Sequence, residues 1–193
     1  MNKVYVSTRD ENKKLSSKEA ILEGISSDGG LFVWPELDSV KIDLNKVCKQ
    51  SYQENAYMIL KELLPDFSEE ELRECIHNAY TNSFDTEDIT PIKKVDDVYV
   101  LELFHGPTSA FKDVALTLLP QLMQKALQST NQKALILTAT SGDTGKAALC
   151  GFQDVKDIGI VVFYPHQKVS QIQYRQMATQ KGKNVKVYAV KGN

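Results

Sequence analysis

The sequence predicts an α/β protein. A mostly helical N-terminal domain covers residues 1–90, and the first part of a doubly wound parallel sheet covers 91–193. Three observations predict this. Before Pro91, apolar residues recur at helical spacing behind Ser-x-x-Glu pairs, the pattern of capped amphipathic helices. After Lys133, strand-like runs alternate with helical stretches, as in a parallel sheet whose crossovers are helices. The runs themselves, ALILTAT (134–140), IGIVVFYP (158–165) and VKVYAV (185–190), are nearly all apolar, as strands covered on both faces are.

Each element has its own signal. Ser16-Ser17-Lys18-Glu19 has capping-box spacing, with Ile21, Leu22 and Ile25 on one face behind it, and Asp28-Gly29-Gly30 is expected to stop that helix. LFVWPEL is a short apolar stretch cut by Pro35. A second helix is expected from Leu44 to Leu64, ended by Pro65, and a third behind Ser68-x-x-Glu71. VYVLELF (98–104) is strand-forming, and HGPT is loop chemistry. Asp113 to Gln128 then reads as a helix, in which Pro120 forces a kink or a later start. Further on, SGDTG is a tight turn, Lys146 to Phe152 a helix and Ser170 to Lys181 another. A doubly wound sheet continues past a strand such as 185–190 with more helices and strands. The sequence therefore reads as the N-terminal portion of something longer.

Composition excludes several functions. The 193 residues are 42% hydrophobic and 25% charged, with a net charge of −2 and the basic residues spread along the chain. A nucleic-acid or membrane-surface partner needs a concentrated basic face, so neither is expected. There is no apolar run of membrane-spanning length and no apolar core of a signal peptide near the start. Cys48, Cys75 and Cys150 are odd in number and far apart, which fits reduced thiols in the cytoplasm and offers no metal-ligand spacing.

Two places could carry chemistry. Thr140-Ser141-Gly142-Asp143-Thr144-Gly145 joins the carboxyl end of a strand to a helix, the edge at which open α/β sheets bind ligands. Free N–H groups and the helix dipole attract anions there, while Ser, Asp and Thr are equally ordinary helix caps. The stretch is not a nucleotide P-loop: Thr140 stands where the first glycine belongs, and Ala147 follows Lys146. The second place is His105-Gly106-Pro107-Thr108-Ser109-Ala110-Phe111-Lys112-Asp113. A lysine at a helix start is ordinarily a solvated charge. Held among apolar groups such as Ala110, Phe111 and Val114, an amine can instead serve as a nucleophile toward an aldehyde. His105 reads as a loop histidine, and Arg175 as a solvated helix residue.

Together, in this order and about thirty residues apart, HGPTSAFKD and TATSGDTG resemble the β-family of pyridoxal-phosphate enzymes (fold type II), and within it the threonine synthase family. YVSTRD (5–10) and EAILEGISSDGGLFVWPEL (19–37) resemble that family's opening segments. The resemblance implies that Lys112 holds pyridoxal 5'-phosphate as a Schiff base and moves protons, with Phe111 packed beside it. It implies that Ser141, Gly142, Asp143 and Thr144 receive the substrate carboxylate, with Asp143 also on the cofactor's phenolic-oxygen side. Thr140 and Thr144 would assist with the substrate phosphate. The implied reaction converts O-phospho-L-homoserine and water to L-threonine and phosphate. Two alternatives share these motifs: a phospholyase relative that releases 2-oxobutyrate, and a non-catalytic domain retaining the fold. Family members are more than twice as long, and their later glycine-rich phosphate loop has no counterpart here. The fragment alone is therefore expected to bind the cofactor poorly and not to turn over.

Overall fold

The computed structural model describes residues 3–191. It forms two compact units, one running to His77 and the other from Asn78 onward.

In the first unit, β1 (Tyr5–Ser7), β2 (Lys14–Leu15), α1 (Ser17–Glu23) and β3 (Phe32–Val33) come first. The strands make a small antiparallel sheet in the order β2-β1-β3, with Tyr5 opposite Leu15 and Val6 opposite Val33. Strands of two or three residues carry no readable alternation, so this sheet was not expected among helices. α1 begins at the expected capping box: the Ser16 hydroxyl accepts from Glu19 N–H, and the Glu19 carboxylate accepts from Ser16 N–H at 2.8 Å. It ends earlier than expected, at Gly24, whose φ of 70° lies in the left-handed region. Asp28-Gly29-Gly30 instead forms the turn back to β1. There Asp28 accepts from the Ser7 hydroxyl (2.9 Å) and from Gly30 N–H (2.7 Å). A Cβ on Gly30 would lie 2.2 Å from Ser7 Oγ, so only glycine fits.

The helix expected over 44–64 is two helices, α2 (Leu44–Val47) and α3 (Tyr52–Leu63). Ser51 and Glu54 form a complete capping box that starts α3 afresh. α4 (Glu69–Tyr80) follows Ser68, whose hydroxyl accepts from Glu71 N–H as expected. Leu72, Cys75 and Ile76 on α4 are buried with Phe67 and Leu64. Asp66 closes the unit by accepting from the N–H groups of Ser17 and Lys18, and from the Ser17 hydroxyl, at the start of α1.

The second unit opens with a hairpin, β4 (Ile92–Val95) and β5 (Val98–Leu101), with Ile92 opposite Leu101. α5 (Asp113–Leu116) and α6 (Leu119–Gln128) replace the one helix expected there, and Pro120 occupies the first turn of α6, where a missing N–H costs nothing. β6 (Ala134–Ala139), α7 (Asp143–Phe152), β7 (Ile158–Pro165), α8 (Gln171–Ala178) and β8 (Val185–Val190) then alternate as expected. The three strands are parallel in the order β6-β7-β8. Both crossovers step the same way across the sheet, and right-handed crossovers therefore put α7 and α8 on one face. On that face Ile160 and Val162 are fully buried, in a core with Leu149, Phe152 and Met177. On the other face Leu135 and Leu137 remain 61% and 64% exposed, and Phe163 stacks on a half-exposed Tyr188. Strands expected to be covered twice are thus covered once among the described residues. No helix among them is long and apolar enough to cross a membrane.

Candidate functional site

The loop before α5 is built around a buried carboxylate. Asp113, 1% exposed, accepts from Thr108 N–H (2.7 Å), the Thr108 hydroxyl (2.6 Å) and Ala110 N–H (3.4 Å). Gly106 packs directly against it: a Cβ there would lie 2.4 Å from Asp113 Cβ. Ser109 N–H closes a turn on the Gly106 carbonyl at 3.0 Å, with Ser109 at φ 56°. Lys112 follows with helical backbone angles, and its carbonyl accepts from Leu116 N–H at 2.8 Å. Its half-buried side chain places Nζ 4.0 Å from the centroid of the exposed Phe111 ring. The apolar setting is therefore partly an electrostatic one, since an aromatic face attracts a cation. Among the described residues Lys112 Nζ makes no hydrogen bond or ion pair, which leaves the amine uncommitted.

His105 anchors the loop's other end. Its Nδ1 lies 2.6 Å from Asp85 and its Nε2 2.9 Å from Glu102, while Asp85 N–H donates to the His105 carbonyl at 3.0 Å. The bonds to Glu102 and Asp85 outweigh desolvation and raise its pKa above the ordinary histidine value. His105 thus lies in a loop and is held at both ring nitrogens.

The second loop leaves the carboxyl end of β6, where Thr140 N–H donates to the Phe163 carbonyl (2.9 Å) on the next strand. The Thr140 hydroxyl accepts from Gly142 N–H (3.1 Å) and Gly145 N–H (3.3 Å), so it satisfies the start of α7 from within. Gly145 is required by packing: a Cβ would lie 2.3 Å from Thr140 Cγ2 and 3.0 Å from Val162 Cγ1. Ser141 and Asp143 are exposed, Thr144 is half-buried and Gly142 is buried. Gly142 is covered by the Gln173 amide, which a Cβ would meet at 2.3 Å. That amide donates to the Asp143 carboxylate at 3.0 Å.

Sequence reasoning missed Gln173. Ser170-x-x-Gln173 does have capping-box spacing, and the box is complete, but its reach across to Asp143 has no signal in the sequence. The structure brings Thr140, Ser141, Gly142, Asp143 and Thr144 together in one loop and pairs Lys112 with Phe111. It joins the two groups through helices: α5, which follows Lys112, packs on α7, which follows the second loop. Contact is close enough that a Cβ on Gly151 would lie 2.0 Å from the Leu116 carbonyl oxygen.

A family profile described as the threonine synthase N terminus matches residues 4–80. A threonine synthase of Eremothecium gossypii is 37% identical over 212 aligned residues, covering 100% of this chain and 41% of that protein. Among solved structures, a pyridoxal-phosphate-bound threonine synthase from Brucella melitensis superposes with a TM-score of 0.88 at 34% identity, over 99% of this chain and 42% of that one. Yeast threonine synthase gives 0.88 at 36% identity, over 100% and 41%. The chain thus spans about two-fifths of the length of the relatives it matches. Over its whole length the chain is similar to threonine synthases, one of them solved with pyridoxal phosphate bound, and residues 4–80 match the profile of their N terminus.

Proposed function

We propose that this chain is the N-terminal part of a cytoplasmic threonine synthase, which converts O-phospho-L-homoserine and water to L-threonine and phosphate using pyridoxal 5'-phosphate. The observation that supports this best is the HGPTSAFKD loop, which leaves the Lys112 amine uncommitted beside an aromatic face. The residues present fit the cofactor at that point: a primary amine, free of ion pairs, is the group that captures an aldehyde. When bound, the cofactor supplies an electron sink for carbon–hydrogen and carbon–oxygen bond cleavage.

The chain's own residues supply the rest. Lys112 would hold the cofactor covalently, and its Nζ would carry a proton. Phe111 lies against the lysine, with its ring face toward Nζ. Ser141 and Thr144 offer hydroxyl donors at the positive end of α7, which suits a substrate carboxylate, and Gly142, whose N–H is held by the Thr140 hydroxyl, shapes the loop between them. Asp143, held by Gln173, fixes the loop's outer edge and adds the negative charge expected on the cofactor side. The Thr140 oxygen accepts from the loop's own N–H groups, and its O–H, which donates to the Gly142 carbonyl at 3.4 Å, is the group it would turn to the substrate phosphate.

The chain of 193 residues is not expected to turn over alone, because one apolar face of its sheet and its whole hairpin are solvent-exposed. Two measurements test the reading. Treatment of the full-length protein with pyridoxal phosphate and borohydride, followed by peptide mapping, is expected to label Lys112 ahead of the other lysines. The full-length protein is expected to release phosphate and threonine from O-phospho-L-homoserine, with no 2-oxobutyrate. Preferential labelling elsewhere overturns the site, 2-oxobutyrate overturns the reaction, and steady threonine formation by the 193 residues alone overturns the claim about the fragment.

A further inference from the structure

We infer that Asp113 is a positioning residue for Lys112, acting through Thr108 to hold the 105–112 loop in the conformation that presents the amine. The inference rests on the reading of Lys112 as the cofactor lysine. It starts from a cost. A carboxylate that is 1% exposed loses most of its hydration, and such burial is sustained only by replacement donors. Among the described residues the carboxylate forms no ion pair, and its bonds are those of its own loop. Its three donors are Thr108 N–H, the Thr108 hydroxyl and Ala110 N–H, all from the five residues before it. It therefore organises only its own loop, and that loop leads directly into Lys112.

The loop also needs holding. Ser109 sits at φ 56°, a region that a serine leaves unless its surroundings fix it. The bonds to Thr108 and Ala110 lie on either side of Ser109 and pin both neighbours to one carboxylate. The absent side chain of Gly106 lets that carboxylate approach, since a Cβ there would come within 2.6 Å of Asp113 Oδ2. Without the carboxylate, Ser109 relaxes and the chain three residues later shifts. Small displacements of a reacting group carry large penalties in rate.

The test uses the full-length protein and inorganic borohydride with pyridoxal phosphate as an amine-directed aldehyde. The amine adds to the aldehyde with loss of one water, and hydride from borohydride fixes the adduct as a secondary amine. The readout is the labelling rate at Lys112 relative to the exposed Lys156 in the same sample, with the melting temperature measured in parallel. Asp113→Ala is expected to lower the Lys112 to Lys156 ratio about tenfold. Asp113→Asn is expected to stay within about threefold of the parent, since its carbonyl oxygen can serve the two N–H donors and its amide can donate to the Thr108 hydroxyl. Thr108→Ser is expected to preserve the ratio and Thr108→Val to lower it without unfolding the chain.

Should Asp113→Ala fail to fold, Thr108→Val against Thr108→Ser decides. A folded Thr108→Val or Asp113→Ala chain with the parental ratio overturns the inference, for it shows Asp113 serving stability alone. A parent full-length protein that labels Lys112 no faster than Lys156 overturns the cofactor-lysine reading and the inference with it, an outcome distinct from the first.

Discussion

At the scale of single residues, the site depends on side chains that hold others. His105 illustrates this and yields a pH prediction. Glu102, then Asp85, raise its pKa in the folded chain against the opposing effect of desolvation. A group whose folded pKa is raised contributes stability that is fully present below its unfolded pKa, about 6.5 for histidine, and that is lost as pH rises through the folded value. The melting temperature of the parent should therefore exceed that of His105→Gln most clearly near about pH 6, and the gap should shrink as pH climbs past the raised value. A gap that stays constant from mildly acidic to alkaline pH contradicts the charged clamp and leaves His105 as a packing residue. Asp66 works in the opposite sense. Burial pushes its pKa up, but the Ser17 hydroxyl and Lys18 N–H more than offset this and hold it below the usual carboxylate range. Its contribution is present above the unfolded pKa and fades as pH falls through the folded one. The chain thus carries an acid-sensitive contact in its first unit and an alkali-sensitive one in its second.

At the scale of elements, what local chemistry encodes was legible and what distant contact decides was not. Ser16 with Glu19 and Ser68 with Glu71 could be read as helix starts because a capping box is complete within four residues. Ser51 with Glu54 has the same spacing, yet it lies inside a longer apolar pattern, and periodicity alone fused α2 to α3. The small sheet of the first unit escaped notice because its strands pair with residues up to about thirty positions away and show no alternation of their own. At the site, both motif loops were visible as sequence, and so was their place at a strand end and before a helix. The three bonds to Asp113 and the reach of Gln173 were not, because hydrogen-bond partners are set by the folded path. The contact of α5 with α7 is of the same hidden kind and gives a test. Gly151→Ala forces a methyl group toward the Leu116 carbonyl oxygen, and backbone cannot swing aside as a long side chain can. Overpacking of this sort should cost about 2 kcal/mol, read as a lower denaturation midpoint with an unchanged slope. A variant as stable as the parent would show that the two helices do not press together there.

At the scale of the whole molecule, the sheet of the second unit has two unlike faces, and the difference can be measured. Sequential order with right-handed crossovers places α7 and α8 on one side, so Ile160 and Val162 are buried while Leu135, Leu137 and Tyr188 face solvent. The hairpin β4–β5 adds Ile92, Val98, Tyr99 and Leu101 to the exposed apolar surface. Exposed apolar surface of this extent marks a place where more protein packs, and β6, which bears Leu135 and Leu137, leads into the loop that begins at Thr140. Buried and exposed positions of one sheet should then respond differently to substitution. Ile160→Ala opens a cavity under α7 and should cost about 3 kcal/mol. Leu137→Ser alters a side chain that already meets water and should change stability by no more than about 0.5 kcal/mol. The two variants should also part in dye binding. Leu137→Ser removes part of the surface that binds a hydrophobic fluorophore and lowers the signal of the folded chain, whereas Ile160→Ala leaves that face intact. Equal destabilisation by the two substitutions would mean that the outer face is already covered in solution, by a second copy of the chain or by its own hairpin. In that event the solvent-exposed face would no longer support the expectation that these residues alone do not turn over.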